Sequence, residues 1–559
     1  MHRWKGVLRC IAGAACVAAF FALALRWGPK DDPAPGTVHL SRGSGFYDEG
    51  FDLAMEADGG EIRYTLDSTQ PDGDSLLYTG PIHIEDVSGT DNLYSARTDV
   101  ALDLNVELLE SLGKKAKYGF KLPKGPVDKA TVVRAVCIDR FGNRSPETQG
   151  VYFVGYGDKP AYDGINIITI TTEPKNLFDS ETGIYVLGDG FQSALDNGEL
   201  DPDTEYHFWP ANYRNKGAAW EREASICFFD SNRKPLASGN YGIRVQGNSS
   251  RARLPKSFNI YVRERYGSGS LPGLELFGED LELTRLNLNT GANGMDTLLT
   301  DYLVNKLAAD LNYETRPYRP YALFLDGEYW GMYWLTPRYT ADFFMGRLGL
   351  EEDEVIEVKW DGIEVGSKED YEVYQSMRTF IADNDMSDPE MYAQACELID
   401  IDSCVDYYAM EIYIANSDWP YNNCALWRTR ETGSEAPRDG RWRWLEYDVN
   451  MAMNPRYAKT DMLQRAAGRD AMFSSLLEND GFEAALTAKL VELAQSNFRP
   501  DLVDAFVEDY IRMMGDAMAN DYERFYGGDL TRQDFEDKCR NIAGFFQKRY
   551  DYIIEHYGE

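Results

Sequence analysis

The chain has 559 residues, and 92 Asp and Glu against 57 Lys and Arg leave it a net charge of −35. That excess excludes nucleic acid as a main partner, because a polyanion needs a positive footprint, and the length calls for two or three domains. Five scattered histidines (His2, His39, His83, His207, His556) and no G-x-S-x-G elbow exclude a zincin helix and disfavour a serine triad, leaving carboxylates for acid/base work and oxygen ligands for any metal.

Residues 1–27 read as an export leader. His2, Arg3, Lys5 and Arg9 precede an apolar and small-residue run from Cys10 to Leu25, and Ala22-Leu23-Ala24 offers a cleavage site. A cleaved signal peptide and a retained signal anchor both fit; either places the body outside the cell or at its surface, with membrane contact only through this segment. Residues 28–39 follow as a Pro/Gly/Asp linker.

From 40 to 155 the pattern is short alternating strands broken by turns. Glu61–Leu66 alternates and Ala130–Val136 reads as another strand, whereas Asp67–Asp72 and Phe141–Ser145 carry turn residues. The spacing predicts a small antiparallel sandwich, with a helical insertion over 100–124. The stretches Tyr64-Thr65-Leu66-Asp67-Ser68-Thr69-Gln70-Pro71 and Leu77-Tyr78-Thr79-Gly80-Pro81-Ile82, with Val133-Arg134-Ala135, resemble the chitobiase C-terminal-type immunoglobulin-like domain. In that family the module is an accessory of exported enzymes.

From 165 to 559 strands and helices mix. Val503, Phe506, Val507, Tyr510, Ile511 and Met514 keep a 3.6-residue period. Thr531-Arg532-Gln533-Asp534 predicts a capped start to a last helix with Phe535, Ile542, Phe546 and Ile553 inward. The fold class is therefore α+β. No C-x-x-C occurs among Cys137, Cys227, Cys396, Cys404, Cys424 and Cys539, which read as buried free thiols with Cys396–Cys404 as the one conceivable pair.

Three clusters carry candidate chemistry. In the first, an alternating strand enters Gly247-Asn248-Ser249-Ser250, and Arg244, Arg251, Arg253 and Lys256 place four cations within thirteen positions. Backbone N–H groups and hydroxyls in such a turn suit phosphate; a plain hairpin with a basic edge is the simpler alternative. The second is Asn416-Ser417-Asp418-Trp419-Pro420-Tyr421-Asn422-Asn423, where D-x-x-x-x-N supplies a carboxylate to accept a hydroxyl proton and an Asn oxygen for a metal. In the third, Arg441 to Asn450, a strand delivers Asp448 at its end.

Tyr241 to Phe258, Leu283 to Asp301, Leu325-Asp326-Gly327-Glu328-Tyr329-Trp330-Gly331-Met332-Tyr333, Asn416 to Arg428 and Trp442 to Asn450 together resemble the spore-coat protein H (CotH) kinase family. The resemblance implies a kinase-like domain, using ATP and Mg2+ or Mn2+, that phosphorylates Ser or Thr of envelope or spore-coat proteins. It implies Asp418 as the catalytic aspartate, and Asn423 (with Asn422 as competitor), Asp448 and Asn450 at the metal. Lys256, Arg244 and Arg251 would neutralise phosphates above Gly247, Asn248, Ser249 and Ser250; Asp296 and Asp301 are candidate partners for Lys256. Three positions depart from the family pattern: Asn450 replaces an Asp, Thr300 an Arg and Pro337 a Glu. A catalytically silent scaffold of the cell envelope or spore surface is the main alternative, and carbohydrate binding or hydrolysis ranks last.

Overall fold

The computed structural model describes residues 35–267, 269–291, 297–420, 422–430 and 433–558. The expected leader at 1–27, the first part of the expected linker and Asp296 lie outside them. No described helix is long and apolar enough to cross a membrane.

The N-terminal region is β-rich. A five-stranded sheet runs in the order Gly45–Tyr47, Thr148–Val154, Thr131–Ile138, Glu61–Thr65, Leu76–Leu77, accompanied by the ladders Phe51–Leu53 with Ile82–Ile84 and His39–Leu40 with Met55–Glu56. Strand alternation assigns its two faces. Val133, Ala135, Cys137, Tyr152 and Val154 fill the sandwich core. Val132, Val151 and Phe153 on the other face join the core of the following domain, where Phe153 meets Phe324 edge-on at 4.9 Å. Two buried faces explain why Thr131–Ile138 reads as a nearly unbroken apolar run rather than a polar-outward alternation. The insertion over 100–124 holds a 3-10 turn, Leu102–Leu104, and one short α-helix, Val106–Ser111. Leu102 and Leu109 pack with Leu187, Tyr206, Tyr213 and Ala252 beneath the domain that follows.

That domain opens with a closed seven-stranded barrel. Its order is Asn166–Thr171, Arg222–Phe229, Pro235–Val245, Phe258–Tyr261, Arg285–Asn289, Glu328–Pro337, Arg319–Leu325. The last strand pairs in parallel with the first, Ile167 opposite Ala322, and closure leaves no unpaired edge. A four-stranded antiparallel sheet follows, in the order Gly362–Val365, Val355–Lys359, Ala425–Thr429, Arg443–Leu445. The C-terminal part is helical, as the periodicity predicts: Asp480–Gln495, Pro500–Tyr526 and Arg532–Tyr557. Thr531 and Asp534 cap the last helix reciprocally, and Phe535, Ile542, Phe546 and Ile553 are buried. All six described cysteines are free thiols.

Candidate active site

One polar cleft of about 720 Å3 lies where the barrel meets the four-stranded sheet, and three short segments supply most of its chemistry. The first is the turn after Pro235–Val245. Gly247 adopts φ +111°, and a Cβ there would strike the Ser250 hydroxyl, so only glycine lets the turn close. Gly247, Asn248, Ser249 and Ser250 all line the cleft.

The cations near this turn divide by side-chain direction. Arg251 lines the cleft but braces the turn from beneath, donating to the carbonyls of Gly247 (2.7 Å), Tyr213 (3.0 Å) and Asn215 (2.9 Å); burial lowers its pKa to about 10. Lys256 is fully buried outside the cleft lining. Its ammonium donates to the carbonyls of Arg251 (2.7 Å) and Arg253 (3.2 Å) and sits 3.9 Å from the centre of the Tyr213 ring. Burial holds its pKa far below the usual lysine value. Arg244 turns onto the buried carboxylate of Glu221, which also binds Arg263 and Arg265. Burial alone would raise the Glu221 pKa; Arg263 and Arg244 bring it down to about 2. The expectation that Lys256 and Arg244 face the nucleotide phosphates is therefore corrected. A buried cation settles where carbonyls or a carboxylate replace its lost water, and sequence order does not tell which way the side chain turns.

The second segment follows the helix Ile401–Tyr413. The guanidinium of fully buried Arg549 donates to the terminal carbonyls of that helix, Ile412 (2.7 Å) and Tyr413 (3.0 Å). Ala415 and Asn423 take left-handed φ values of +52° and +59°, and Trp419 is buried against Tyr408. Asp418 is half-buried at the cleft. One of its carboxylate oxygens accepts from Asn422 Nδ2 (3.0 Å), the other from Asn423 Nδ2 (3.2 Å). The Asn423 carbonyl oxygen is thereby turned away from Asp418.

The third segment leaves the strand Arg443–Leu445, which ends three residues before Asp448; Asp448 itself takes φ +53° rather than an extended conformation. Oδ1 of Asp448 and Oδ1 of Asn450 are buried without a hydrogen-bond partner. Beneath them stand further buried acids, Asp301 and Glu446, and the buried Arg316. Asp301 accepts from the Val449 N–H at 2.9 Å and does not pair with Lys256. Burial first, and Glu446 second, push Asp301 up to about 7. Burial, with Asp301 and Asp418, does the same to Asp448.

The sequence reading missed Lys216, Arg338 and Lys359, which also line the cleft. Lys359 pairs with Glu364 at 2.9 Å and Arg338 with the same carboxylate at 3.3 Å. No local motif marks them; each reaches the cleft from a different part of the chain.

A family model described as CotH kinase protein matches residues 243–553, more than half of the chain. The chain belongs to the CotH kinase family. A second model, described as Fn3 associated, matches residues 51–152, within the N-terminal sheets. No curated protein matches the sequence. The CotH match spans all three segments of the cleft but not Asn166–Thr171 or Arg222–Phe229, the strands that close the barrel.

A kinase family implies ATP and a divalent metal in general. Among the described residues no three His, Cys, Asp or Glu side chains converge as a metal-binding group. The two orphaned oxygens of Asp448 and Asn450 nevertheless fit a hard cation, which takes carboxylate and carboxamide oxygen alike. Asp448, Asn450 and Asn423 are the side chains that would hold it.

Proposed function

We propose that this CotH-family chain transfers the terminal phosphoryl group of ATP to Ser or Thr hydroxyls of protein substrates at the cell surface or on a spore coat. The observation that carries the proposal is the pairing of Asp418, fixed by two carboxamides, with the unpartnered oxygens of Asp448 and Asn450 in one cleft. Asp418 orients the attacking hydroxyl and accepts its proton. The Gly247–Ser250 turn holds the phosphates with backbone N–H groups and hydroxyls. Asn422 and Asn423 keep Asp418 in one rotamer, so the hydroxyl meets a carboxylate already in place. A bound Mg2+ or Mn2+ would neutralise charge on the phosphates. The surface location rests on the basic and apolar leader at residues 1–27.

The test is incorporation of labelled phosphate from ATP by the full chain with candidate coat or envelope proteins. Transfer is expected with the native chain and lost with Asp448→Ala; undiminished incorporation by that variant would overturn the role given to Asp448. A second reading, a kinase-like scaffold without transfer, draws on Asn450, a neutral carboxamide where the family carries a carboxylate. It predicts nucleotide binding without incorporation into any acceptor.

A further inference from the structure

We infer that this cleft recognises its phosphoryl donor through the phosphate chain and leaves the nucleobase almost unread, so other nucleoside triphosphates and inorganic tripolyphosphate serve alongside ATP. The inference rests on the kinase reading above and narrows its donor.

Pockets that bury a flat heterocycle are lined mostly by aliphatic and aromatic side chains. This cleft has none of the first kind: Val, Ile, Leu and Met are absent from its described lining, and so is Phe. Only Trp360 and Tyr447 offer rings, and cations already cover them. The Arg378 guanidinium sits 4.4 Å from the centre of the Trp360 ring, and the Lys359 ammonium 4.7 Å from that of Tyr447. A base stacking on the faces so covered must displace a cation.

The barrel side of the cleft offers carboxamides instead, Gln246, Asn259 and Asn289. Asn259 is already engaged, its side-chain oxygen accepting from Asn287 at 3.2 Å. Across the cleft stand Arg338 and Lys359, gathered on the one carboxylate of Glu364. Burial would raise that carboxyl, but Lys359 and Arg338 hold it below the usual range, so it stays ionised. Lys216, Arg251, Arg338 and Lys359 match in number the carboxylates of the lining, Asp361, Glu364, Asp418 and Asp448, so a divalent cation held at Asp448 would leave the cleft net positive. In a chain of net charge −35, such a site favours an extended polyanion over a ring.

In the transfer, the acceptor hydroxyl oxygen forms a bond to the terminal phosphorus while the bridging P–O bond breaks. The bonding pair leaves with the bridging oxygen, as nucleoside diphosphate or, from tripolyphosphate, as pyrophosphate. The hydroxyl proton passes to Asp418.

Calorimetric titration of the full chain with the Mg2+ complexes of ATP, GTP, CTP and tripolyphosphate tests this. The three nucleotides are expected within about fivefold of one another, and tripolyphosphate within about tenfold of ATP. Lys359→Met should weaken all four in the same proportion. ATP binding fiftyfold tighter than GTP and CTP, or a Lys359→Met loss confined to ATP, overturns the inference while leaving the kinase reading intact. Binding of none of the four overturns both.

Discussion

The backbone N–H of Val449 donates to Oδ1 of Asp301 at 2.9 Å, tying the helix Leu299–Leu307 to the loop that carries Asp448 and Asn450. Asp301 is thus both a brace for that loop and a second buried negative charge next to Asp448; burial first, then Glu446 for Asp301 and Asp301 for Asp448, raise both carboxyls to about 7. Unfolded, the two carboxyls titrate near pH ~4. Between those values the folded chain binds more protons than the unfolded one, so metal-free stability falls as pH rises through the window and levels off above about pH 7. A divalent cation competes with the same protons, and its affinity moves the opposite way. Mn2+ titrated calorimetrically at pH 5.5, 6.5 and 8 should bind about tenfold tighter per pH unit below 7, with little further gain above. Asp301→Asn, which removes the neighbouring charge, should shift that plateau to lower pH. A dissociation constant independent of pH would contradict the assignment of the cation to Asp448.

Asp418 is held by carboxamides on both oxygens rather than by a cation, so Asp418→Asn changes charge with little change of shape. In the proposed transfer Asp418 takes the hydroxyl proton, and loss of such a group lowers rates by about 10²–10⁴-fold. Single-turnover transfer should fall by that factor while the affinity for Mg-ATP stays within about threefold. A parallel loss of affinity would instead place Asp418 at the phosphates.

How much of this was legible in the sequence depends on distance along the chain. Asp418, Asn422 and Asn423 lie within one local turn, and Asp448 and Asn450 within another, so spacing alone groups each set. The helix that begins after Thr531 is legible for the same reason, since a capping box is a matter of four consecutive residues. Barrel closure is not, because Ile167 must find Ala322 across nearly the whole length of the barrel's chain. Lys359 and Arg338 reach the cleft by tertiary placement, with no pattern around them. Lys256 fails in another way: the sequence shows a cation beside a phosphate-like turn, but whether its ammonium faces outward or bonds carbonyls underneath is decided by packing against Tyr213 and Tyr185.

That placement makes Lys256 a brace. Lys256→Met keeps the packing volume but takes their Lys256 donor from the carbonyls of Arg251 and Arg253, at a cost of about 2–4 kcal/mol for one buried and one half-buried acceptor. The midpoint of denaturant unfolding should fall accordingly. The ionic-strength dependence of Mg-ATP affinity should not change, because no charge has been withdrawn from the cleft. A flattened salt dependence would return Lys256 to the phosphates.

Glu328 gives the N-terminal region a role beyond an appended accessory. Its two carboxylate oxygens accept from the backbone N–H groups of Leu93 (2.6 Å), Tyr94 (3.2 Å) and Ser95 (2.7 Å) and from the Ser95 hydroxyl (2.6 Å). Glu328 belongs to the Asp326–Tyr333 motif of the CotH stretch, yet it faces the N-terminal segment and not the cleft. Around it Ala130 donates to the Gly327 carbonyl at 2.8 Å and Tyr329 to that of Asp128 at 2.8 Å, and one apolar core runs through both regions. Two regions sharing a core should melt together, so the native chain is expected to show one cooperative transition. Glu328→Ala strands four buried or half-buried donors, for a loss of about 3–5 kcal/mol. The amide protons of Leu93, Tyr94 and Ser95 should then exchange well before those of the barrel strands, and calorimetry should resolve an earlier, separate transition for the N-terminal sheets. If the variant melts in one step at the native temperature, Glu328 does not hold the two regions together.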